Sequence, residues 1–276
     1  YGKSNRSCVA AAPFPTGKPI YYRDKIIPVS AINDRGENVI TSIRTRDLKA
    51  ADPGALDHRF IGLLKKEHVL TVIFENALDH YDGQPVLVAD GWVEYPYSQT
   101  NFAAWQAGRT YQAPTIEVEG PDGRWQTLLE QFGYPAGMPR QMALPLKGLP
   151  KGCRKIRIRS NQEIYWDRLF IAFSRPCPGV RIHPMPMASA ELRQIGFPER
   201  IDKPQRLPFY NYSRRAPFWD TRYLEGDYTR FGPVKELINR KDNGLAIFGA
   251  GEGLSIRYNM PKDPLISGYR RLFVLE

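Results

Sequence analysis

The stretch CRKIRIRSNQEIYWDRLFIAF, residues 153–173, decides the fold class. In its first half, isoleucines alternate with Lys155, Arg157 and Arg159, and a period of two is typical of a β-strand with one solvated face. Its second half, EIYWDRLFIAF (163–173), is the most hydrophobic strand pattern in the chain. The stretch therefore predicts two neighbouring strands.

Strand patterns of similar length precede this stretch and are separated by turn residues such as the Pro-Asp-Gly at 121–123. They are IIPVSAI (26–32), HVLTVIFE (68–75), PVLVADGW (85–92), TIEVEG (115–120), WQTLLE (125–130) and QMALPLKGL (141–149). Helix is expected only in three short pieces, VITSIRTRD (39–47), GALDHRFIGLL (54–64) and GPVKELI (232–238). This pattern predicts a mainly β protein with an antiparallel, jelly-roll-like β-sandwich.

The predicted organisation has four segments. They are an extended N-terminal segment (1–28), the β-sandwich domain (29–174), a Pro-rich linker or strap (175–208), and a second, smaller β module (209–276).

The second module resembles a partial repeat of the first. VKELINRKD (234–242) aligns with VITSIRTRD, LSIRY (254–258) with LTVIF (70–74), and LFVLE (272–276) with VLVAD (86–90). On this alignment the second module is incomplete and LFVLE forms an exposed edge strand. The alternative is a chance likeness between apolar strands.

The charge and hydrophobicity of the chain limit the kinds of partner that we expect. The net charge is +10, but the basic residues lie in short groups with acids between them, so a nucleic-acid partner is not expected. The apolar runs are strand-sized and far shorter than the roughly 20 residues of a membrane span, so no transmembrane segment is expected.

Cysteine and histidine spacing indicates no metal site and no cofactor. Cys153 and Cys177 flank the two neighbouring strands. A disulfide between them is expected if the compartment is oxidising, and free buried thiols are the alternative.

Catalytic motifs are missing from the sequence, which has no Gly-x-Ser-x-Gly, His-Glu-x-x-His or Walker loop. Three acids, Asp90, Glu94 and Asp167, could supply the pair of carboxylates that a carbohydrate-active hydrolase needs. This enzyme is the alternative to a binding function.

The stretch DGWVEYPYSQTNFAAWQAG (90–108) combines aromatic rings with amides. Rings flanked by amides suit a glycan, and Tyr and Trp also dominate protein interfaces. The predicted binding residues are Tyr95, Tyr97, Asn101, Trp105, Gln106 and Tyr165. The opposing interpretation is that the rings plug the open end of the sandwich. Trp92 and Trp166 are expected to be buried, with Trp166 on the same face as Phe170.

Several ordered motifs carry a family resemblance: the stretch just quoted, EVEGPDGRWQTLLEQFGYPAGMPRQMALPL (117–146), RIRSNQEIYWDRLFIA (157–172), GDYTRFGPVKELI (226–238) and IFGAGEGLSIRY (247–258). Together they resemble the C-terminal β-rich region of bacterial FG-GAP repeat proteins, which often carry an ASPIC/UnbV-type or tetratricopeptide segment. The late turn departs from the family's Gly-Asp-Glu, because here it is Gly249-Ala250-Gly251-Glu252-Gly253.

The resemblance implies a bacterial, extracytoplasmic protein, either periplasmic or at the cell surface or secreted, with no assigned activity. It transfers no calcium chemistry, because residues 1–276 contain no Asp-rich calcium loop. We therefore expect a non-enzymatic scaffold or interaction subunit of a larger assembly. Its aromatic surface would bind another protein subunit or a glycan.

Overall fold

The computed structural model describes residues 9–11, 14–15, 17–216, 226–261, 269 and 271–273. The protein is mainly β, with 40% strand and 8% helix, which confirms the predicted fold class. The chain divides into two compact units: one comprises residues 1–180 with 268–276, and the other residues 181–267. Among the described helices, none has the length and apolar character needed to cross a membrane.

The described part of the first unit contains ten strands, one α-helix and two short 3-10 helices. The strands are β1 (Val9–Ala11), β2 (Ile20–Ile26), β3 (Ser30–Asn33), β4 (Leu63–Ile73), β5 (Gln84–Val93), β6 (Thr115–Glu119), β7 (Trp125–Leu129), β8 (Arg140–Pro145), β9 (Lys155–Gln162) and β10 (Ile164–Ser174). The helix α1 is Ser98–Gln106, and the 3-10 helices are Ile40–Ile43 and Leu78–His80.

These strands form two five-stranded antiparallel sheets. The first sheet has the order β1-β2-β10-β5-β8 and the second β3-β4-β9-β6-β7. Six pairs of consecutive strands cross between the sheets: β2 to β3, β4 to β5, β5 to β6, β7 to β8, β8 to β9 and β9 to β10. This is the strand order of an eight-stranded jelly roll, with β2-β10-β5-β8 in one sheet and β4-β9-β6-β7 in the other. Strands β1 and β3 each add one edge strand to it.

One hydrophobic cluster joins the inner faces of the two sheets. It includes Leu70 and Ile158 from the second sheet, and Leu87 and Ile171 from the first, all at most a few per cent exposed. Burying a side chain of this size contributes roughly 1.5–3 kcal/mol. The inward isoleucines of β9 therefore account for the alternation in the sequence.

The outer face of the second sheet is a ladder of ion pairs. Arg157 pairs with Glu117 across β9 and β6, Arg159 lies 3.2 Å from the same carboxylate, and the guanidinium of Arg157 lies 4.4 Å from the ring centroid of Trp125. Lys155 Nζ lies 2.8 Å from Glu119 Oε1. The basic residues of this strand thus have acidic neighbours in the sheet.

The last strand, β10, contains a bulge that shifts its register against β5 between Trp166 and Arg168. Trp166 therefore packs in the inter-sheet core, whereas Phe170 belongs to a separate cluster on the other face of the first sheet. Trp92 and Trp166 are both buried, as predicted. The prediction that Trp166 shares a face with Phe170 is wrong, because the extra residue Asp167 reverses the alternation.

Two predicted boundaries change. The segment 1–28, expected to lie outside the sandwich, supplies β2, which pairs with β10. The segment 175–208, predicted as a Pro-rich linker or strap, contains β11 (Met187–Gln194) and β12 (Pro198–Ile201).

The helices also differ from prediction. GALDHRFIGLL is not helical: its last two leucines begin β4, and Gly54 and Gly62 adopt positive φ angles of 109° and 74°. At Gly62 a Cβ atom would lie 2.3 Å from the carbonyl oxygen of Glu94, so the chain passes too close for a side chain there. Helix α1 was not predicted.

Among its described residues, the second unit has five short strands and one turn of helix. They are β11, β12, β13 (Phe209–Arg215), β14 (Gly232–Pro233), β15 (Glu252–Tyr258) and α2 (Lys235–Ile238). One sheet has the order β14-β11-β15, and β12 pairs with β13 as a separate hairpin. The helix in GPVKELI is confirmed, the LSIRY segment of the repeat alignment lies in β15, and residues 244–251 are not in a strand. In LFVLE, residues 272 and 273 are not in a strand, and 274–276 lie outside the described residues.

Candidate functional site

The candidate site is built on helix α1, which follows β5 at one end of the jelly roll. Tyr97 precedes the helix with an extended backbone, and its carbonyl accepts a 2.9 Å hydrogen bond from the N–H of Asn101. The helix ends before Gly108, whose φ of +69° is the left-handed conformation that terminates many helices. The preceding segment, Glu94 to Tyr97, thus fixes where the helix begins.

A small cluster anchors the helix to the sandwich. Ala104 is fully buried against Phe60 and Leu63, and Tyr111 packs beside them. The Tyr111 hydroxyl donates a 2.6 Å hydrogen bond to the carbonyl of Ile61, and burial raises the pKa of this tyrosine to about 12. The hydroxyl therefore stays protonated at ordinary pH and keeps its bond.

Polar contacts made by Arg109, just after the helix, hold the same cluster in place. The Arg109 guanidinium donates to the carbonyl of Leu64 at 3.1 Å and lies 3.5 Å from the carboxylate of Asp57. Hydrogen bonds from the guanidinium of Arg59 to Asp57 lower the pKa of that acid to about 2. The base of the helix is thus held by both packing and charge.

Four rings on this end of the molecule point to solvent, and we call them the aromatic surface: Tyr95, Tyr97, Phe102 and Trp105. Trp105 is 68% exposed, Phe102 is 58% exposed, and their rings stack with centroids 5.7 Å apart. Tyr97 is 60% exposed. Tyr95 makes an edge contact with Tyr134 at 5.8 Å. The interpretation of these rings as plugs of the sandwich core is therefore wrong for all four.

Helix α1 carries no charge. Its sequence, SQTNFAAWQ, contains no Asp, Glu, Lys or Arg, and Ala104 is its only buried residue. Asn101 donates through its side chain to the carbonyl of Pro96 at 3.2 Å, and the Ser98 hydroxyl donates to the side-chain oxygen of Gln99 at 3.2 Å. The amides of Gln99 and Gln106 are exposed. An uncharged, aromatic and almost fully exposed helix is the distinguishing feature of this end of the unit.

The structure brings five of the six predicted binding residues together here: Tyr95, Tyr97, Asn101, Trp105 and Gln106. The sixth, Tyr165, does not belong to the surface, because it is only 6% exposed, stacks on Trp92 at 5.6 Å and donates to Glu163 at 2.6 Å. Phe102 belongs to the surface but was not among the six. Its spacing of three residues from Trp105 is the helical signal that could have identified it.

The acid Asp90, predicted as a catalytic alternative, is held by its neighbours. It is buried, its carboxylate lies 2.7 Å from the guanidinium of Arg168 and 3.7 Å from that of Arg46, and it accepts a hydrogen bond from Gln141 at 3.1 Å. The Asp90 carboxylate is therefore engaged by two guanidinium groups that are themselves partly exposed.

The other two acids have structural surroundings as well. Asp167 is buried at the β10 bulge and accepts backbone N–H groups from Asp47 at 3.3 Å and Leu48 at 3.0 Å. Burial raises the pKa of Asp167, and these hydrogen bonds oppose the rise. Glu94 is half-buried, and its backbone N–H donates to the carbonyl of Glu163 at 3.0 Å.

Cysteine chemistry differs from the prediction. Cys153 is a free, buried thiol, whereas Cys177 is disulfide-bonded, so the proposed bridge between these two residues is wrong. Cys153 instead lies in the inter-sheet core beside the carbonyl of Lys155. Within the described part of the chain, no three His, Cys, Asp or Glu side chains come together as a metal site.

The comparisons with known proteins give no family assignment. No protein-family model matches the chain, and no curated protein matches it either.

Proposed function

We propose that the jelly-roll unit is a non-enzymatic interaction module of a larger extracytoplasmic assembly, and that it docks a protein partner through helix α1 and the aromatic surface. One observation carries this proposal: α1 is uncharged, buries only Ala104, and exposes Phe102 and Trp105. A solvated helix normally carries charge on its free face, whereas interface cores lack charge and are rich in Trp, Tyr and Phe.

The geometry of α1 suits insertion into a groove. Tyr97, Asn101 and Trp105 follow each other at intervals of four residues, and Phe102 stacks on Trp105 from the neighbouring row. Anchors at this spacing are how one helix occupies the apolar groove of another protein. A buried Trp at the centre of such a contact commonly contributes 2 kcal/mol or more.

A protein is favoured over a glycan because the rings project from a helix. Small-ligand sites are concave and enclose most of the ligand, whereas Phe102 and Trp105 stand outward from their support. The exposed amides of Gln99 and Gln106 would then hydrogen-bond at the rim of the contact. Glycan binding is kept as an outcome of the test.

Two features support an extracytoplasmic location. Cys177 is disulfide-bonded, and such bonds persist mainly in oxidising compartments. The family resemblance implies export to the periplasm or beyond.

The net charge of +10 would speed the capture of an acidic partner.

The hydrolase alternative gains no support from the carboxylates. Asp90 is committed to Arg168, and Asp167 to backbone N–H groups of the loop at 47–48. Neither is left available as a free acid or base of the kind that glycoside hydrolysis needs. We therefore do not propose an enzymatic role for them.

The test places a photoreactive amino acid at Gln106 of the full chain, in the envelope of a bacterium that exports it. We expect one dominant crosslinked protein adduct. Its yield should fall at least about tenfold when Phe102→Ala or Trp105→Ala is added, because each change removes an anchor ring. Both residues are exposed, so the free energy of unfolding should change by no more than about 0.5 kcal/mol.

Tyr212→Ala is the matched control, because Tyr212 is as exposed as Trp105 but lies on β13 of the other unit. It should leave the adduct unchanged. An adduct that survives both ring substitutions would overturn the docking surface. If no protein adduct forms and a glycan array gives binding that Trp105→Ala abolishes, the ligand is a glycan and the protein partner is wrong.

A further inference from the structure

The second unit has a core too small for its size. Among its described residues, the buried hydrophobic cluster consists of Ala190, Leu192 and Val234, with four partly buried neighbours. Large apolar side chains are instead exposed on this unit, among them Ile201, Phe209, Tyr210, Phe231, Leu245 and Phe248. Exposed apolar side chains of this size are typical of a surface that binds another chain.

The sheet β14-β11-β15 offers an open edge where that burial could begin. On β11, the carbonyl of Ala190 accepts from the N–H of Val234 at 3.0 Å, so its even-numbered residues bond towards β14. The odd-numbered residues Glu191 and Arg193 consequently bond towards β15, where they face Ser255 and Gly253. By alternation, the backbone groups of Leu254 and Ile256 point away from β11.

No described strand pairs with this outer edge of β15. The strand, EGLSIRY, has no proline, and β15 carries no bulge on that side that would turn the edge away. Natural proteins protect such edges with proline, inward charge or cover. The N–H of Glu252, at the start of the strand, donates to the carbonyl of Gly249 at 3.3 Å, so the template for another strand consists of the outward groups of Leu254, Ile256 and Tyr258.

We propose that β15 pairs with the β15 strand of a second copy of this chain, antiparallel and centred on Ser255. Because only even-numbered residues bond outward, the pairing must match even with even residues, and the register centred on Ser255 matches all seven residues of the strand. It places Leu254 of each chain opposite Ile256 of the other, in hydrogen-bonded pairs. Ser255 then faces Ser255 in a pair without backbone hydrogen bonds.

The side chains of β15 are compatible with pairing to a second copy of the strand. Leu254 already packs against the small core, and Ile256 and Tyr258 lie on the same face, so pairing would join the two small cores across the two-fold axis. Arg257 lies opposite Gly253 and Glu252 opposite Tyr258, so no like charges meet. A six-stranded sheet, β14-β11-β15 from each chain, would result.

Charge swapping at the two-fold axis tests the pairing directly. The full chain should sediment with about twice its mass of 31.6 kDa. Ser255→Lys and Ser255→Glu should each weaken the dimer at least about tenfold, because two like charges then face each other about 5 Å apart. An equimolar mixture of the two variants should recover the dimer as a one-to-one complex.

Two further variants separate pairing from folding. Ile256→Pro removes an N–H that points outward, so it should block the dimer and leave the β11–β15 pairing intact. Ser255→Thr keeps the hydroxyl and the neutrality of the site and should remain dimeric. A monomer at every concentration, or a dimer insensitive to both charges, would overturn the proposal. A mixture that does not recover the dimer would show that Ser255 does not face Ser255, and would overturn the pairing centred on it.

Discussion

Asp167 ties the last strand of the jelly roll to the loop between β3 and β4. Its buried carboxylate accepts two backbone N–H groups, from Asp47 and Leu48. Burial nevertheless raises the pKa of this acid above its ordinary value, so the negative charge is less favourable in the folded protein than in the unfolded chain. The Asp167 side chain serves as a hydrogen-bond acceptor, and its negative charge lowers the stability of the folded protein.

Replacing Asp167 with Asn should therefore not weaken the fold at neutral pH. A raised folded pKa means that the stability from Asp167 is present in acid and is lost as pH rises from 3.8 through the raised pKa. Asn keeps the acceptor oxygen without the charge. Urea unfolding should give an Asp167→Asn variant at least as stable as the parent at pH 7, with a smaller difference near pH 4.

Asp82→Asn, at an exposed turn, is the control and should change neither value. A variant less stable than the parent at pH 7 would show that the ionised form is favoured by its hydrogen bonds.

The same residue explains why sequence alternation placed one face of β10 incorrectly. Counting by two from Phe170 puts Trp166 beside it, and nothing in EIYWDRLFIAF marks an added residue. The burial of Trp166 was predictable from its type. Its face depended on a bulge that is fixed by the loop at 47–48, which is distant in sequence.

At the scale of elements, α1 differs from the strands in what holds it. The strands bury alternate residues in a shared core, which is why period-two patterns predicted them. Helix α1 has nine residues and one buried side chain. Its short, uncharged sequence has no clear apolar stripe, so helical periodicity could not reveal it. The aromatic composition still located the binding candidate.

Hydrogen exchange should show α1 as a weak point in the free protein. Helices shorter than about 12–15 residues are marginal without packing. The amides from Asn101 to Gly108 should therefore exchange far faster than those of β5 and β10 in the same molecule. Addition of the docking partner should slow exchange in α1 and leave β10 unchanged. Equal protection of α1 and β10 in the free protein would contradict this account of the helix.

At the scale of the whole molecule, the two units differ in the size of their cores. The jelly roll joins two five-stranded sheets through one large cluster, whereas the hydrophobic cluster in the described part of the second unit has three buried residues. The mainly β, antiparallel fold class could be predicted from strand spacing and turn residues. The assignment of β2 to the sandwich could not, because a strand next to Pro and Gly residues shows no strong pattern of its own.

Calorimetry should resolve this difference as two transitions. The second unit should unfold first, and its midpoint should rise with protein concentration because dimerisation stabilises the folded form. Ser255→Lys should abolish that concentration dependence and leave the higher transition unchanged. One transition, independent of concentration and of this substitution, would contradict both the small-core argument and the strand pairing.

The reactivity of Cys153 reports how often the core of the jelly roll opens. This residue is a free thiol, 2% exposed, inside the inter-sheet core, and burial raises its pKa, so the reactive thiolate is scarce while the sheets stay together. An alkylating reagent can modify it only during an opening of that core. The rate of modification therefore measures the opening of the sandwich core. It does not depend on unfolding of α1 or on strand pairing at the edge of β15.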